Sequence, residues 1–250
     1  MSIELHNGDC LEVMKHLPDK SVDCFICDLP YGQTNTKTCP WDTKINLSEF
    51  WTQIKRLCKN DHTPILMFCT TKFGIELVNS NPSWFRYDLV WDKTRGISFL
   101  SANKMPMRSH EMIYVFSKSG AFYIRVDETG DFKAWKRWGN NKSILNVYGM
   151  AHKTDNTFHS EGKRCVKSVI SFKNSNKPKV GGHPTEKPIS LYKWLIERYC
   201  PDGGTLLDPT AGSGNAGLAA WELNRHAILI EKDTTFFKKI EDKMNNLSTT

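Results

Sequence analysis

The sequence predicts an α/β protein built on an open, doubly wound parallel sheet. Three observations lead there. Short apolar runs, at 22–27 and 64–69 among others, alternate with stretches that repeat apolar residues at helical spacing. Two of the runs end in an aspartate with a proline close behind, at Asp28 and at Asp208. The second of these leads straight into a glycine-rich turn and a further strand ending in Glu231, which is a βαβ pattern.

Composition narrows the class. A chain of 250 residues is long enough for one large α/β domain with an insertion. No apolar run approaches the roughly 18 residues of a membrane span, and the opening MSIELHNGDC lacks the basic-then-apolar pattern of a secretory leader. Several of the eight cysteines lie inside apolar runs. Cys24 and Cys27 form a C-x-x-C, but residues three apart on a strand point to opposite faces. The expectation is reduced thiols, no metal and a cytoplasmic protein. The net charge of +7 is concentrated: residues 131–180 hold eleven basic side chains against three acids. Such a segment points to a polyanionic partner.

In chain order, 3–6 reads as a strand. Gly8-Asp9-Cys10 turns it into a helix over 11–17, with Asp9 either a plain cap or a ligand-facing acid at the sheet rim. The run 22–27 carries no charge but Asp23 and reads as a strand buried on both faces. Asp28 falls at its carboxyl end, Pro30 stops the ladder, and Tyr31 opens a loop. One reading of Asp28 is a turn cap. The other is chemical. An amino group conjugated to an aromatic ring is a poor nucleophile, and two acceptors on its N–H bonds favour a more available lone pair. The Asp28 carboxylate and the carbonyl of Leu29 or Pro30 suit that task, with Tyr31 to stack on the ring. A polar loop over 33–43 contains Trp41. A helix over 47–58, a strand over 64–69, a helix over 72–79 and strands over 85–91 and 112–116 follow. The last two are expected to be joined by an exposed loop containing Thr94-Arg95-Gly96. Arg108-Ser109-His110-Glu111 precedes the second, where an Arg108–Glu111 salt bridge is one reading.

From about 120 to 182 the alternation decays into a basic, polar stretch with Phe132, Trp135, Trp138, Tyr148, Phe158 and Phe172. Basic side chains bind phosphates and aromatics stack or wedge bases. A solvated linker is the alternative, which six aromatics argue against. His183-Pro184-Thr185-Glu186-Lys187-Pro188 then opens a helix over Ile189–Tyr199, a start that suits a carboxylate. A strand over 205–207 ends at Asp208-Pro209, followed by Ala211-Gly212-Ser213-Gly214-Asn215. A helix over 218–224, a strand over 227–230 ending at Glu231, and an amphipathic helix over Thr234–Asn245 close the pattern. Glu231 can accept both hydroxyls of a ribose.

Asp28-Leu29-Pro30-Tyr31 resembles the Asp-Pro-Pro-Tyr motif of the DNA amino-methyltransferases, with Leu29 in place of the usual proline. The order of motifs (catalytic turn, basic insert, helix opener, glycine loop) resembles the beta group of that family over nearly the whole chain. The resemblance implies a Rossmann-like methyltransferase sheet with circularly permuted motif order. It also implies methyl transfer from S-adenosylmethionine to adenine N6 in double-stranded DNA, with the base flipped out. Asp in the first motif position is typical of the adenine enzymes and Ser of the cytosine-N4 enzymes. On the same resemblance Asp28, Leu29, Pro30 and Tyr31 are catalytic. Asp9, Cys10, Asp28, His183, Thr185, Lys187, Asp208, Pro209, Ala211, Gly212, Ser213, Gly214, Asn215, Glu231 and Lys232 meet the cofactor. DNA contacts are expected from Tyr31, Arg108, Lys136, Arg137, Lys163, Arg164 and Lys167. Trp41 is either a lid anchor or a wedge facing DNA. Relatives in the beta group also suggest a homodimer.

The implied organisation is a catalytic half over 1–119, a target-recognition insert over 120–182 and a cofactor half over 183–250. A cytosine-N4 enzyme is the near alternative. Gly212, Gly214 and Gly217 also satisfy G-x-G-x-x-G, so a nicotinamide-dinucleotide oxidoreductase is the rival from another class. Asp208 counts against it, because its charge would face a pyrophosphate but would suit a cationic methionine amine.

Overall fold

Residues 1–34, 39, 42–97, 99–129, 163–174 and 186–247 are described by a computed structural model of the chain. Its first half builds β1 (Ile3–Asn7), α1 (Cys10–His16), β2 (Cys24–Cys27), α2 (Leu47–Leu57), β3 (Ile65–Cys69), α3 (Thr71–Ser80), β4 (Phe85–Ile97) and β5 (Arg108–Phe116). Its second half adds β6 (Glu128–Thr129), β7 (Lys163–Arg164), β8 (Val169–Ser171), α4 (Ile189–Tyr199), β9 (Thr205–Asp208), α5 (Asn215–Glu222), β10 (His226–Glu231) and α6 (Thr234–Asn245).

Eight strands form one sheet in the order β1-β10-β9-β2-β3-β5-β4-β8. The first five in that order run parallel, and β5 runs against both its neighbours. The chain winds outward in one direction from β2 to β3 and in the other from β9 to β10. The pair β2/β9, with Cys24 opposite Leu206 and Phe25 opposite Leu207, is therefore the switch point of the sheet. The carboxyl ends of all five parallel strands share one rim. The amino end of β5 reaches that rim too, because β5 is reversed.

The central strands are apolar without alternation because both of their faces are covered. Cys24, Ile26, Leu66, Phe68 and Leu206 pack with Leu191, Leu195, Ala216, Ala220 and Ile240 of α4, α5 and α6. Phe25, Cys27, Ile65, Met67 and Leu207 face the other way, onto Met14, Phe50, Ile54, Phe73 and Leu77 of α1, α2 and α3. Cys24 and Cys27 thus lie in opposite layers. Helix starts follow their caps: Asp9, Asn46, Thr70 and Asp233 each accept a first-turn backbone N–H. No helix among the described residues is long and apolar enough to cross a membrane.

Three expectations need correction. Thr94-Arg95-Gly96 is not a loop but an irregularity inside β4, which pairs with β5 again at Ile97↔Arg108. The cause is local: Thr94 sits at φ 58°, and its N–H bonds to Asp92 Oδ1 at 2.9 Å. The helix expected over 218–224 starts earlier, at Asn215, because left-handed Gly214 (φ 71°) redirects the chain directly into it. Finally, Val169–Ser171 is an edge strand paired parallel with β4, within the stretch read as irregular.

The chain divides into two units, Met1–Ile124 with Ser168–Thr250, and Arg125–Lys167. The second is narrower than the 120–182 stretch drawn from composition. Phe122 N–H bonds to the His62 carbonyl and Ile124 N–H to the Arg198 carbonyl, each at 2.8 Å. Those bonds and β8 assign both margins to the first unit. Within the second, β6 and β7 pair antiparallel with Glu128 opposite Arg164. Lys163, Arg164 and Lys167 are exposed. Lys136 and Arg137 lie outside the described residues.

Candidate active site at the sheet switch point

Four strand ends assemble the rim. β1 and β10 bring Asn7 opposite Glu231, so Asp9 and Cys10 adjoin Glu231 and Lys232. Asp9 caps α1 through Leu11 N–H at 3.0 Å and pairs with Lys232 at 3.1 Å. Burial opposes ionisation of its carboxyl, but Lys232 and the Leu11 N–H outweigh that and lower its pKa. The Cys10 thiol is buried and pushed up to about 12, so it lines the rim as a neutral group. Cap and ligand-facing acid are compatible roles here, since a carboxylate has acceptor sites to spare.

The glycine turn follows β9. Gly212 (φ 53°) and Gly214 (φ 71°) both hold left-handed backbone. A Cβ on Gly214 would stand 2.9 Å from Ile240 Cγ2, so the turn also packs tightly on α6. Glu231 Oε2 accepts the Gly212 N–H at 2.7 Å and Oε1 the Asp233 N–H at 2.8 Å. One lone-pair site on each oxygen remains for a ligand hydroxyl. Burial raises the Glu231 pKa. Asp208, only 2% exposed, is pushed up to about 7, mainly by burial and also by the Asp28 and Glu231 charges. A cation placed against it would favour its ionised form. These groups fit a ligand with a ribose and a cationic amine. Ala211 and Pro209 are buried beneath the turn.

Asn215, expected to face a ligand, is spent on structure. Its Nδ2 donates to Glu186 Oε1 at 2.7 Å and to the Lys187 carbonyl at 2.8 Å. Its Oδ1 accepts from Lys243, which also donates to the Ser213 carbonyl at 3.2 Å. Asn215 therefore ties the segment before α4 to the start of α5. His183 and Thr185 lie outside the described residues.

The Asp28 carboxylate is the centre of the constellation. Tyr31 Oη donates to Asp28 Oδ1 at 2.8 Å, and Lys187 Nζ pairs with Oδ2. Lys187 was expected to face a bound carboxylate ahead of α4, but its ammonium lies against Asp28 instead. The reason is electrostatic. Lys187 is 5% exposed, and burial alone would lower its pKa. The Asp28 and Glu111 charges overcome that and raise it, so the cation is retained. Tyr31 is held protonated by burial and by Asp28. Its ring stacks on Phe73 with centroids 5.1 Å apart. Leu29, which departs from the proline of the resembling motif, is buried in the α1–α3 layer.

Thr210, Asp42, Lys93 and Glu111 also take part, in roles that the sequence did not mark. Thr210 Oγ1 donates to the Asp28 carbonyl at 3.0 Å, joining the two turns. Asp42, buried, accepts from the N–H groups of Gly32, Gln33 and Thr34 at 2.8–2.9 Å and so shapes the loop after Tyr31. Glu111, from the amino end of β5, pairs with buried Lys93 at 3.1 Å and lies 4.0 Å from Lys187. The salt-bridge reading of Arg108 and Glu111 does not hold: Arg108 is exposed, whereas Glu111 pairs with Lys93 at the sheet rim. Glu111 stood in the sequence only as a neighbour of Arg108, and nothing local marked its partners. Trp41 lies outside the described residues.

The chain is similar to known proteins in sequence and in fold. The chain is 25% identical over 264 residues to the type II methyltransferase M.HinfI of Haemophilus influenzae, covering 96% of this chain and 67% of that one. The M1.HpyAVI–SAM complex superposes with a TM-score of 0.63 at 18% identity, covering 97% and 99% of the two chains. The cytosine-N4-specific PvuII DNA methyltransferase superposes with a TM-score of 0.63 at 13% identity, covering 100% and 93%. Nothing in the fold or in these likenesses supports the oxidoreductase rival. The DNA methylase family model matches residues 22–242, spanning the Asp28 turn, the glycine turn and Glu231, so the chain belongs to the N6/N4 family of DNA methyltransferases.

Proposed function

We propose that the chain methylates the exocyclic N6 amino group of adenine in double-stranded DNA, with S-adenosylmethionine as donor and the target base turned out of the duplex. The observation that carries this reading is Asp28, set at the switch point beside the glycine turn with its carboxylate oriented by Tyr31 and Lys187. The donor, when bound, supplies a methyl group already activated on a sulfonium. The chain's own part is positioning. Glu231 holds the ribose, Asp208 neutralises the methionine amine, and Gly212 and Gly214 let backbone approach. Asp28 and the carbonyl of Leu29 or Pro30 accept the two N–H bonds of the target amine. They thereby aim its lone pair, and the Asp28 carboxylate then takes the proton that the methylated amine must lose. The Tyr31 ring faces the base.

Adenine rather than cytosine rests on aspartate as the first residue of the catalytic turn. Cytosine N4 is the second reading, favoured by the shared fold of the PvuII enzyme. One experiment addresses both. Labelled methyl groups are transferred to unmethylated plasmid DNA, which is then digested to nucleosides and separated. N6-methyl-2′-deoxyadenosine is the expected product, and N4-methyl-2′-deoxycytidine would overturn the adenine assignment. Asp28→Asn is expected to lower transfer by at least about a hundredfold with S-adenosylmethionine affinity within about threefold. Transfer near the parent rate would remove Asp28 from the chemistry.

The 120–182 stretch is the target-recognition part of this reading, supported by its basic charge and by exposed Lys163, Arg164 and Lys167. A homodimer completes it. Support comes from Phe99 and Leu100, 78% and 100% exposed, beside exposed Met105 and Met107, an apolar stretch suited to a second copy. A monomeric light-scattering mass with and without duplex would rule the dimer out.

A further inference from the structure

Both oxygens of the Asp28 carboxylate are engaged, Oδ1 by Tyr31 and Oδ2 by Lys187. An amine arriving at Oδ2 meets an oxygen whose charge is already matched by an ammonium in contact with it. That weakens the polarisation on which the reaction depends. Lys187 must therefore have somewhere else to put its charge, and it is too deeply buried to turn out to water.

Glu111 provides the place. Its Oε1 pairs with the buried Lys93 ammonium at 3.1 Å. Its Oε2 is buried and makes no hydrogen bond among the described residues, an arrangement that folded proteins seldom leave standing. That oxygen lies 4.0 Å from Lys187 Nζ, so a shift of about 1 Å would make a charged hydrogen bond. The Phe68 ring, 4.5 Å from the ammonium, flanks Lys187 and leaves it able to swing between two carboxylates within one apolar wall. Lys93, Glu111, Lys187 and Asp28 form an alternating row of charges in which the third member has two acceptors and uses one.

We propose that Glu111 is a positioning residue that takes over the Lys187 ammonium when the target amino group engages Asp28. It acts through Lys187 and does not touch the reacting atoms. The exchange leaves the number of buried charges unchanged and returns the full carboxylate charge of Asp28 to the amine. This rests on the reading that Asp28 accepts from the target amino group.

The test is Glu111→Gln, which keeps size and loses charge, assayed by methyl transfer to unmethylated plasmid DNA. We expect kcat to fall by about tenfold to a hundredfold, with KM for DNA and calorimetric affinity for S-adenosylmethionine both within about threefold. Glu111→Asp, which keeps the charge, should recover part of the loss. Parent-like kcat in Glu111→Gln overturns the proposal, and so does a loss confined to KM or to cofactor affinity. If Glu111→Gln fails to fold because Lys93 loses its partner, the double variant Lys93→Met with Glu111→Gln, which removes both charges of that pair, decides on the same readouts. A reduced kcat at unchanged cofactor affinity then supports the role, and a parent-like kcat overturns it. Asp28→Asn run in parallel separates the two levels. An inactive Asp28→Asn beside an unimpaired Glu111→Gln sinks this inference alone, whereas an active Asp28→Asn sinks the reading beneath it.

Discussion

Thr210 Oγ1 donates to the carbonyl oxygen of Asp28 at 3.0 Å, joining residues 182 positions apart. The bond crosses the switch point and pins the Asp28 turn to the turn that leads into the glycine loop. On the proposed reading, donor and acceptor sites are thereby held on one frame. Thr210→Val keeps the shape and removes the hydroxyl, leaving a carbonyl without its partner. The expected cost is about 1 kcal/mol of stability. The larger effect should be on rate, a fall of about tenfold in single-turnover transfer, since misplacement by 1 Å can cost more than that. An unchanged rate would show that the two turns keep their spacing without the bond.

Asp208 predicts a pH dependence of stability. Its pKa is about 7 in the folded chain against an ordinary 3.8, so between these values the folded state holds the proton more tightly than the unfolded state. Stability from this group is therefore fully present below about pH 4 and is lost as pH rises towards and through 7. Asp208→Asn cannot ionise. Thermal unfolding of the cofactor-free protein should show a smaller decline between pH 4.5 and 7.5 for the variant than for the parent. Parallel declines would mean that Asp208 is ionised throughout.

Gly212 sits at φ 53°, a conformation in which a β-branched residue is strained by about 1–3 kcal/mol. Its N–H also holds Glu231 Oε2. Gly212→Val should weaken S-adenosylmethionine binding by at least about tenfold in calorimetry while the chain remains folded by circular dichroism. Parent-like affinity would place the cofactor elsewhere.

Lys163, Arg164 and Lys167 are exposed and close in sequence. If all three meet phosphates, their replacement by Ala should reduce the slope of log affinity against log salt by about 2 to 3. Preference among DNA sequences should persist, because phosphate contacts carry no base identity. A salt slope equal to the parent's would mean that the three side chains face solvent in the complex.

By itself the sequence determined the elements whose patterns are local. Helix α4 spans Ile189–Tyr199 and helix α6 Thr234–Asn245, each written in its own apolar spacing and start signals. The central strands were equally plain, because burial on both faces makes every residue apolar. Asp28, Asp208, Gly212 and Glu231 could be named because each closes or follows such a strand, and in an α/β sheet strand ends are where ligands meet the chain. Tertiary structure alone decided what those residues touch. Lys187 reaches Asp28 across 159 residues, and Glu111 joins them only because β5 runs against its neighbours and brings its amino end to the rim. Asp42 gathers three backbone N–H groups from a loop that carries no periodic signal. The difference is physical. Periodicity reports how one segment divides itself between core and water, whereas a buried ion pair depends on which segments the sheet lays side by side.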